Sequence, residues 1–502
     1  MIRNSKIFFI AAAVALWLSS CVKEVSMSGA EQEARSLAAW IRLHKPHLVE
    51  NYQAEGGYYV EVLKWGDENL PAEGNDYGTE PLMDKDTCWV FTNMTGYSLD
   101  GNVCLTREPL LAEMNGTFSY NTHYVPYINY CGSTNLGLLE GTYLAMRHTL
   151  TLGSNYMAEY WSDRSGDFKM RCGSKVRLYM PSTIAYGETG SSVQGGYEGE
   201  YTLDANVPLI MDIEVKRAVK NPSDLELDLV KRYVDGMSDW RQVQTDEEVA
   251  EGEEPKYHTG LYINHNYNPL TADLSRCRYL KPEATDGLTN HSYKDTKKYA
   301  SMDAIERKIA EVFAKRFPNP ITPAEMTDEN LVTKENNAKV WYVCRFLDGF
   351  ILDTNIDELR QYCFDDYSDE GTAFSYRAKD DDNKNDNERK AIGAWYYCIP
   401  KLYFGQYAAI VTTSGYAYGV AGVSGSTTTT SSGDSMADYY AYMNYYNYYN
   451  YYYYGYGNYY NYYDYNSYNY GYATESVETT TISTEILPYT PLVFYLYVEP
   501  QQ

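Results

Sequence analysis

Alternating and continuous apolar positions mark a strand from Val176 to Met180 that runs straight into Pro181 and Ser182, and a second strand from Ala408 to Thr412 enters Thr413 and Ser414 in the same way. Each passes into an alanine-tyrosine-glycine turn, with Tyr186 in the first and Tyr418 in the second. Each is followed by an apolar strand, PLIMDIEV from Pro208 and PLVFYLYV from Pro491. Two such series in one chain predict a duplicated domain.

The same order extends upstream. Leu37, Ala38, Trp40, Ile41 and Leu48 recur at helical spacing and predict a helix over Glu31–Leu48, followed by GGYYVEVL from Gly56, a glycine turn entering a strand. In the second series a helix over Leu225–Met237 leads through the acidic linker DEEVAEGEEP, from Asp246, to TGLYINHNY, from Thr259. NGTFSY (Asn115–Tyr120) is echoed by GTAFSY (Gly371–Tyr376), and GYSLDGNV from Gly96 by CRFLDGFIL from Cys344. Chance similarity would not preserve this order.

Two segments depart from the repeat. One, residues 268–334, is polar and carries an amphipathic pattern over Met302–Phe317 that Pro318 ends. The other, residues 424–481, is dominated by tyrosine alternating with asparagine and glycine, a composition without the aliphatic residues that a packed core requires.

A chain of 502 residues has room for two or three domains. Its net charge of -26 argues against a nucleic-acid or anionic-membrane surface, because phosphates would be repelled. At the N-terminus Arg3 and Lys6 precede an apolar run from Ile7 to Leu18 and then LSSC, ending at Cys21. That run is too short to span a bilayer and resembles a bacterial, Bacteroidetes-like lipoprotein signal, which implies cleavage before Cys21, acylation there, and an outer-membrane location on the periplasmic side or the cell surface. The eight later cysteines, at 88, 104, 131, 172, 277, 344, 363 and 398, permit either disulfides or buried thiols. No CxxC or HExxH occurs, and the one HxxH, His44 to His47, encloses Pro46 at a helix end, so no metal site is expected.

The second series is specific enough to resemble a known family. YVCRFLDGFILD (Tyr342–Asp353), AIGAW from Ala391, Gly405 before the central strand, and AYG ending at Gly419 are similar in order and spacing to FKBP-type peptidyl-prolyl cis–trans isomerase domains. The resemblance implies an α+β fold with two FKBP-like domains, each a twisted antiparallel sheet wrapped on one short helix. The expected layout is a signal peptide (1–20), a tether and helix (21–55), a first domain (56–220), a helical and acidic linker (221–255) and a second domain (256–500). It further implies a second pocket with Tyr342, Leu352 and Asp353 on one side, Phe374 from the next strand, a backbone amide at Ile392, Trp395 as floor, the Tyr418 hydroxyl at the rim and Phe494 as the last wall. Leu352 stands where the family usually has phenylalanine.

At the matching positions the first series has Met94, Cys104 and Leu105 for Tyr, Phe and Asp, Thr142 for Trp, and Met211 for Phe. Phe118, Leu139 and Tyr186 remain, and an insertion over 144–167 separates helix from strand. The resemblance therefore implies an eroded first pocket, proline-containing polypeptides as partners, no cofactor, and either an envelope-anchored isomerase or chaperone or a non-enzymatic binding protein in an envelope complex.

Overall fold

The helix expected over Glu31–Leu48 divides at Pro46. Helix α1 (Gly29–His44) starts on a capping box between Ser28 and Glu31, and a 3-10 turn, Pro46–Asn51, follows because Pro46 cannot supply the N–H that would continue the helix. The computed structural model describes residues 28–66, 69–118, 122–153, 166–187, 190–192, 202–235, 237–246, 253–269, 302–364, 371–385, 388–423, 426–431 and 478–501. The signal segment with Cys21, Cys277 and the tyrosine run of 432–477 lie outside the described residues.

In the first half, strands β1 (Tyr58–Trp65), β2 (Trp89–Tyr97), β3 (Val103–Thr106), β4 (Tyr127–Cys131), β5 (Ser174–Met180) and β6 (Leu209–Val219) form one antiparallel sheet, with helices α2 (Pro109–Asn115) and α3 (Glu140–Arg147) between strands. Strand β6 lies at its centre between β5 and β2, β1 pairs with β5, and β2 also pairs with β3 and β4.

The second half repeats this plan. Its elements are α4 (Pro222–Val234), β7 (Trp240–Gln244), β8 (Tyr257–Asn264), α5 (Met302–Arg316), β9 (Ala338–Phe346), β10 (Ile351–Thr354), α6 (Asp357–Phe364), β11 (Phe374–Tyr376), α7 (Gly393–Cys398), β12 (Tyr407–Thr412) and β13 (Leu492–Val498). Strand β13 is central between β12 and β9, β8 pairs with β12, β9 also pairs with β10 and β11, and β7 extends the edge. The fold is α+β, an antiparallel sheet against a short helix in each half.

The polar segment before β9 supplies a layer that its composition did not announce. Ile305, Ile309 and Phe313 of α5 pack with Val230 and Tyr233 of α4 and Leu359 of α6 against Tyr407, Tyr495 and Tyr497 on the outer face of the second sheet. The inner face packs on α7. With both faces covered, every residue of β13 is buried. Arg345, 1% exposed, is held in the outer layer by Glu306 of α5, by the Gly349 carbonyl at 2.9 Å and by the ring of Tyr495. Those partners offset the desolvation of its charge.

The halves touch through side chains beside the second sheet. His123 lies 2.7 Å from Asp348 in the β9–β10 turn and stacks on Phe346 with centroids 4.1 Å apart. Arg107 pairs with Glu485, and Trp89 meets Tyr489 edge-on. Of the cysteines, 88, 104, 131, 172, 344, 363 and 398 are buried. No helix among the described residues is long and apolar enough to cross a membrane.

Candidate functional site

The β9–β10 register sets Asp353 opposite Cys344, two residues along from Tyr342 and so on the same face. The Tyr342 hydroxyl donates to Asp353 Oδ2 at 2.6 Å. Burial pushes the tyrosine pKa well above its ordinary value, and the Asp353 charge and the nearby Tyr418 phenol add to the rise. Tyr342 therefore stays the donor. Surrounding protein raises the Asp353 pKa while the Tyr342 bond lowers it. Asp353 keeps solvent access at the pocket mouth, which limits that rise.

Trp395, the third residue of α7, stands at the centre. Three rings meet it edge-on: Tyr342 at 5.3 Å, Phe374 at 5.2 Å and Phe494 at 5.8 Å, with interplanar angles of 79°, 81° and 78°. Edge-to-face contact is the favoured geometry for such rings. Leu352 is buried in the same cluster, and Ile392, half-buried, packs against it as the N-cap of α7. The Ile392 amide donates to no group among the described residues. Tyr418, 36% exposed, lies at the rim. The sequence-derived constellation of the second half thus converges on one apolar floor with a hydroxyl–carboxylate pair at its edge.

The helix entrance is held by a residue that the sequence reading missed. Asp381, fully buried, accepts from the amides of Lys390 (2.9 Å) and Ala391 (3.4 Å), from the Tyr376 hydroxyl (3.0 Å) and from Lys384 (3.1 Å). Burial acts to raise its pKa, yet these donors hold it below the ordinary carboxylate value. Its run, AKDDDNKND, reads as a solvated loop, and nothing in the spacing distinguishes Asp381 from its neighbours.

No protein-family model matches the sequence, and neither does any curated protein. Among solved structures the chain is similar to a peptidyl-prolyl cis–trans isomerase from Pseudomonas syringae pv. tomato, at 17% identity over 38% of this chain and 93% of that one, with a TM-score of 0.22. It is similar to the three FKBP domains of wheat FKBP73 at 11% identity over 89% and 95%, TM-score 0.19, and to FkpA from Escherichia coli at 15% over 44% and 72%, TM-score 0.22. Likenesses at these scores carry nothing about function. The two halves share one strand order, an antiparallel sheet with its last strand at the centre and a short helix against it.

The matching region of the first half is different. Met94, Cys104, Leu105, Leu139, Tyr186 and Met211 join one apolar cluster, and Thr142, at the position of Trp395, is buried with its hydroxyl unpartnered. A side chain at Gly141 would strike Met180 and Ile184, so the space beside the helix is already filled. Phe118 does not take the position expected from the NGTFSY echo. It follows α2 and stacks on Tyr124 at 5.3 Å. The strand in register is β4, where Tyr127 pairs with Thr92 as Phe374 pairs with Val340. Helix α2 begins at Pro109 and ends on left-handed Gly116, so Gly116, Thr117 and Phe118 fall just beyond a helix rather than in a strand.

Two more carboxylates were missed. Glu33 of α1 accepts from the amide and hydroxyl of Ser182, and Glu226 of α4 from the amide and hydroxyl of Ser414. Both are buried, Glu226 at 3% exposure. A sequence signal for them exists: Glu33 shares a stripe with Leu37 and Ile41, and Glu226 with Val230 and Tyr233, so each is a carboxylate at an apolar helix position.

Proposed function

We propose that the second half is a peptidyl-prolyl cis–trans isomerase acting on proline-containing polypeptides, tethered to the bacterial envelope through lipid on Cys21. An X-Pro amide rotates over a barrier of roughly 18–20 kcal/mol because rotation breaks the C–N partial double bond. No nucleophile is needed. The twisted amide has less charge separation than the planar one, so an apolar enclosure that strips water favours it, and fixed donors add to the effect. Trp395, Phe374 and Phe494 enclose the proline ring, the Tyr418 hydroxyl and the open Ile392 amide hold the flanking carbonyls, and the Tyr342–Asp353 pair supplies a local field.

The observation that carries this reading is the edge-on enclosure of Trp395 by three rings beside that pair. Its test is a protease-coupled assay of the full chain on a chromogenic proline tetrapeptide. Isomerisation should accelerate with wild-type protein and return to the uncatalysed rate with the double variant Asp353→Leu, Trp395→Thr. Equal rates from the two proteins would end the proposal. The tether is tested separately, by Cys21→Ser, which should move the protein from the membrane to the soluble fraction.

A second reading, an FKBP-fold lipoprotein that binds or assembles envelope proteins without catalysis, is favoured by one feature. Leu105, Thr142 and Met211 occupy the places of Asp353, Trp395 and Phe494, so the first half keeps the fold without the polar and aromatic groups. Peptide binding with no catalysis in either half would decide for it.

A further inference from the structure

The turn that carries Tyr418 hangs from one residue. The Ser414 carbonyl accepts from the amides of Ala417 at 2.8 Å and Gly419 at 2.7 Å, the two residues that flank Tyr418. Its amide and hydroxyl both go to Glu226 of α4, a helix otherwise outside the pocket, the hydroxyl bond at 2.9 Å. The first half is built alike. Ala185 and Gly187, which flank Tyr186, donate to the Ser182 carbonyl at 2.9 and 2.8 Å, and the Ser182 amide and hydroxyl go to Glu33 of α1. Where the first half departs at the Asp, Trp and Phe positions it retains both the tyrosine and the carboxylate beneath it.

We propose that Glu226 is a positioning residue for Tyr418, acting through Ser414 to fix the turn that presents the tyrosine hydroxyl over the second pocket. Ser414 is itself buried, so its amide and hydroxyl must find acceptors, and it spends both on one carboxylate while its carbonyl gathers the amides on either side of the exposed Tyr418. Loss of Glu226 removes the anchor without touching any pocket ring, and the freedom gained appears first at Tyr418. Since Ser182 and Glu33 repeat the device, the tyrosine of the first half is held ready for a peptide carbonyl in the same manner, although its pocket floor is filled.

As a statement about catalysis this rests on the isomerase reading, and the test separates the two. In the full chain, Glu226→Ala and Tyr418→Phe should each lower kcat/KM on the chromogenic proline tetrapeptide by about tenfold, the worth of one well-placed hydrogen bond. The double variant should lose no more than either single one. Glu226→Gln, which keeps an acceptor for the Ser414 amide, should restore most of the loss. Independently of activity, hydrogen exchange should show the Ala417 and Gly419 amides exchanging at least about tenfold faster in Glu226→Ala, with β12 unchanged. Multiplying losses in the double variant, or unchanged protection at Ala417 and Gly419, would overturn the proposal. If the wild type shows no isomerase activity, the isomerase reading fails and the exchange result alone decides the positioning role. Should Glu226→Ala fail to fold, Ser414→Ala runs the same cycle with the amide retained and the hydroxyl removed.

Discussion

At the pocket floor the Trp395 indole N–H is buried with no hydrogen-bond partner, a defect that costs about 1–3 kcal/mol. The ring is therefore present for its enclosure and not for its donor. Trp395→Phe should leave the urea midpoint within error or raise it, whereas Trp395→Thr should lose about 3 kcal/mol of stability, the usual cost of emptying a large aromatic site. Activity on the proline peptide should fall modestly in Tyr418→Phe and much further in Asp353→Leu. A second residue-scale prediction concerns Glu226, whose pKa burial raises from 4.5 to about 7 against the two Ser414 bonds that lower it. The folded state thus binds this proton more tightly than the unfolded state, so the associated stability is complete below about pH 4.5 and is lost as pH rises through about 7. The shift corresponds to about 3 kcal/mol. Urea unfolding at pH 5 and pH 8 should show that difference in the wild type and a flattened dependence in Glu226→Gln. An unchanged slope in the variant would assign the pH dependence elsewhere. The aromatic residues of the second pocket were legible because family motifs fix their order. Glu226 and Asp381 were not, since a buried carboxylate and a solvated one have the same letter.

On the scale of elements, α7 is only six residues long and cannot stand by its own hydrogen bonds. Asp381 nucleates its entrance by taking two amides at the turn before it. Asp381→Ala should expose this dependence, with a loss of about 1–3 kcal/mol for the amides left without an acceptor and a larger drop in peptide affinity than in helix content. The sign of its pH effect is opposite to that of Glu226. Because the folded pKa is depressed, the stabilisation is present above the ordinary carboxylate value and disappears as pH falls through the folded one. Acid titration followed by Trp395 fluorescence would record it. Strand positions were readable from period and turn residues, as the matches at β5, β12 and the late strands attest. Helix α5 was readable as a helix from its apolar stripe, but its destination was not. A stripe says that a face is buried, not which sheet buries it, and only the structure puts Phe313 on Tyr407.

For the molecule as a whole, the tyrosine run leaves and re-enters through a two-stranded hairpin, Ser426–Ser431 with Glu478–Ser483, whose base is the Val423–Ile486 bridge. Replacing residues 432–477 by a two-residue turn should leave the unfolding transition of the second half unchanged, because the hairpin and bridge already close the loop. A large loss of stability in calorimetry would make the run part of the fold. The halves are joined by His123–Asp348 and Arg107–Glu485, contacts between residues far apart in the chain that no local pattern foretells. One property of both sheets governs how the chain can be made. In each half the central strand is the last to be synthesised, β6 in the first and β13 in the second. Once the first half has emerged where it folds it can close, while β9 and β12 follow with facing edges that nothing yet fills. Until Leu492–Val498 arrives, that gap is an open template for any extended chain nearby. The nascent second half is thus a receptor for its own C-terminal strand, and Phe494, the last pocket wall, is delivered by the same event that closes the sheet.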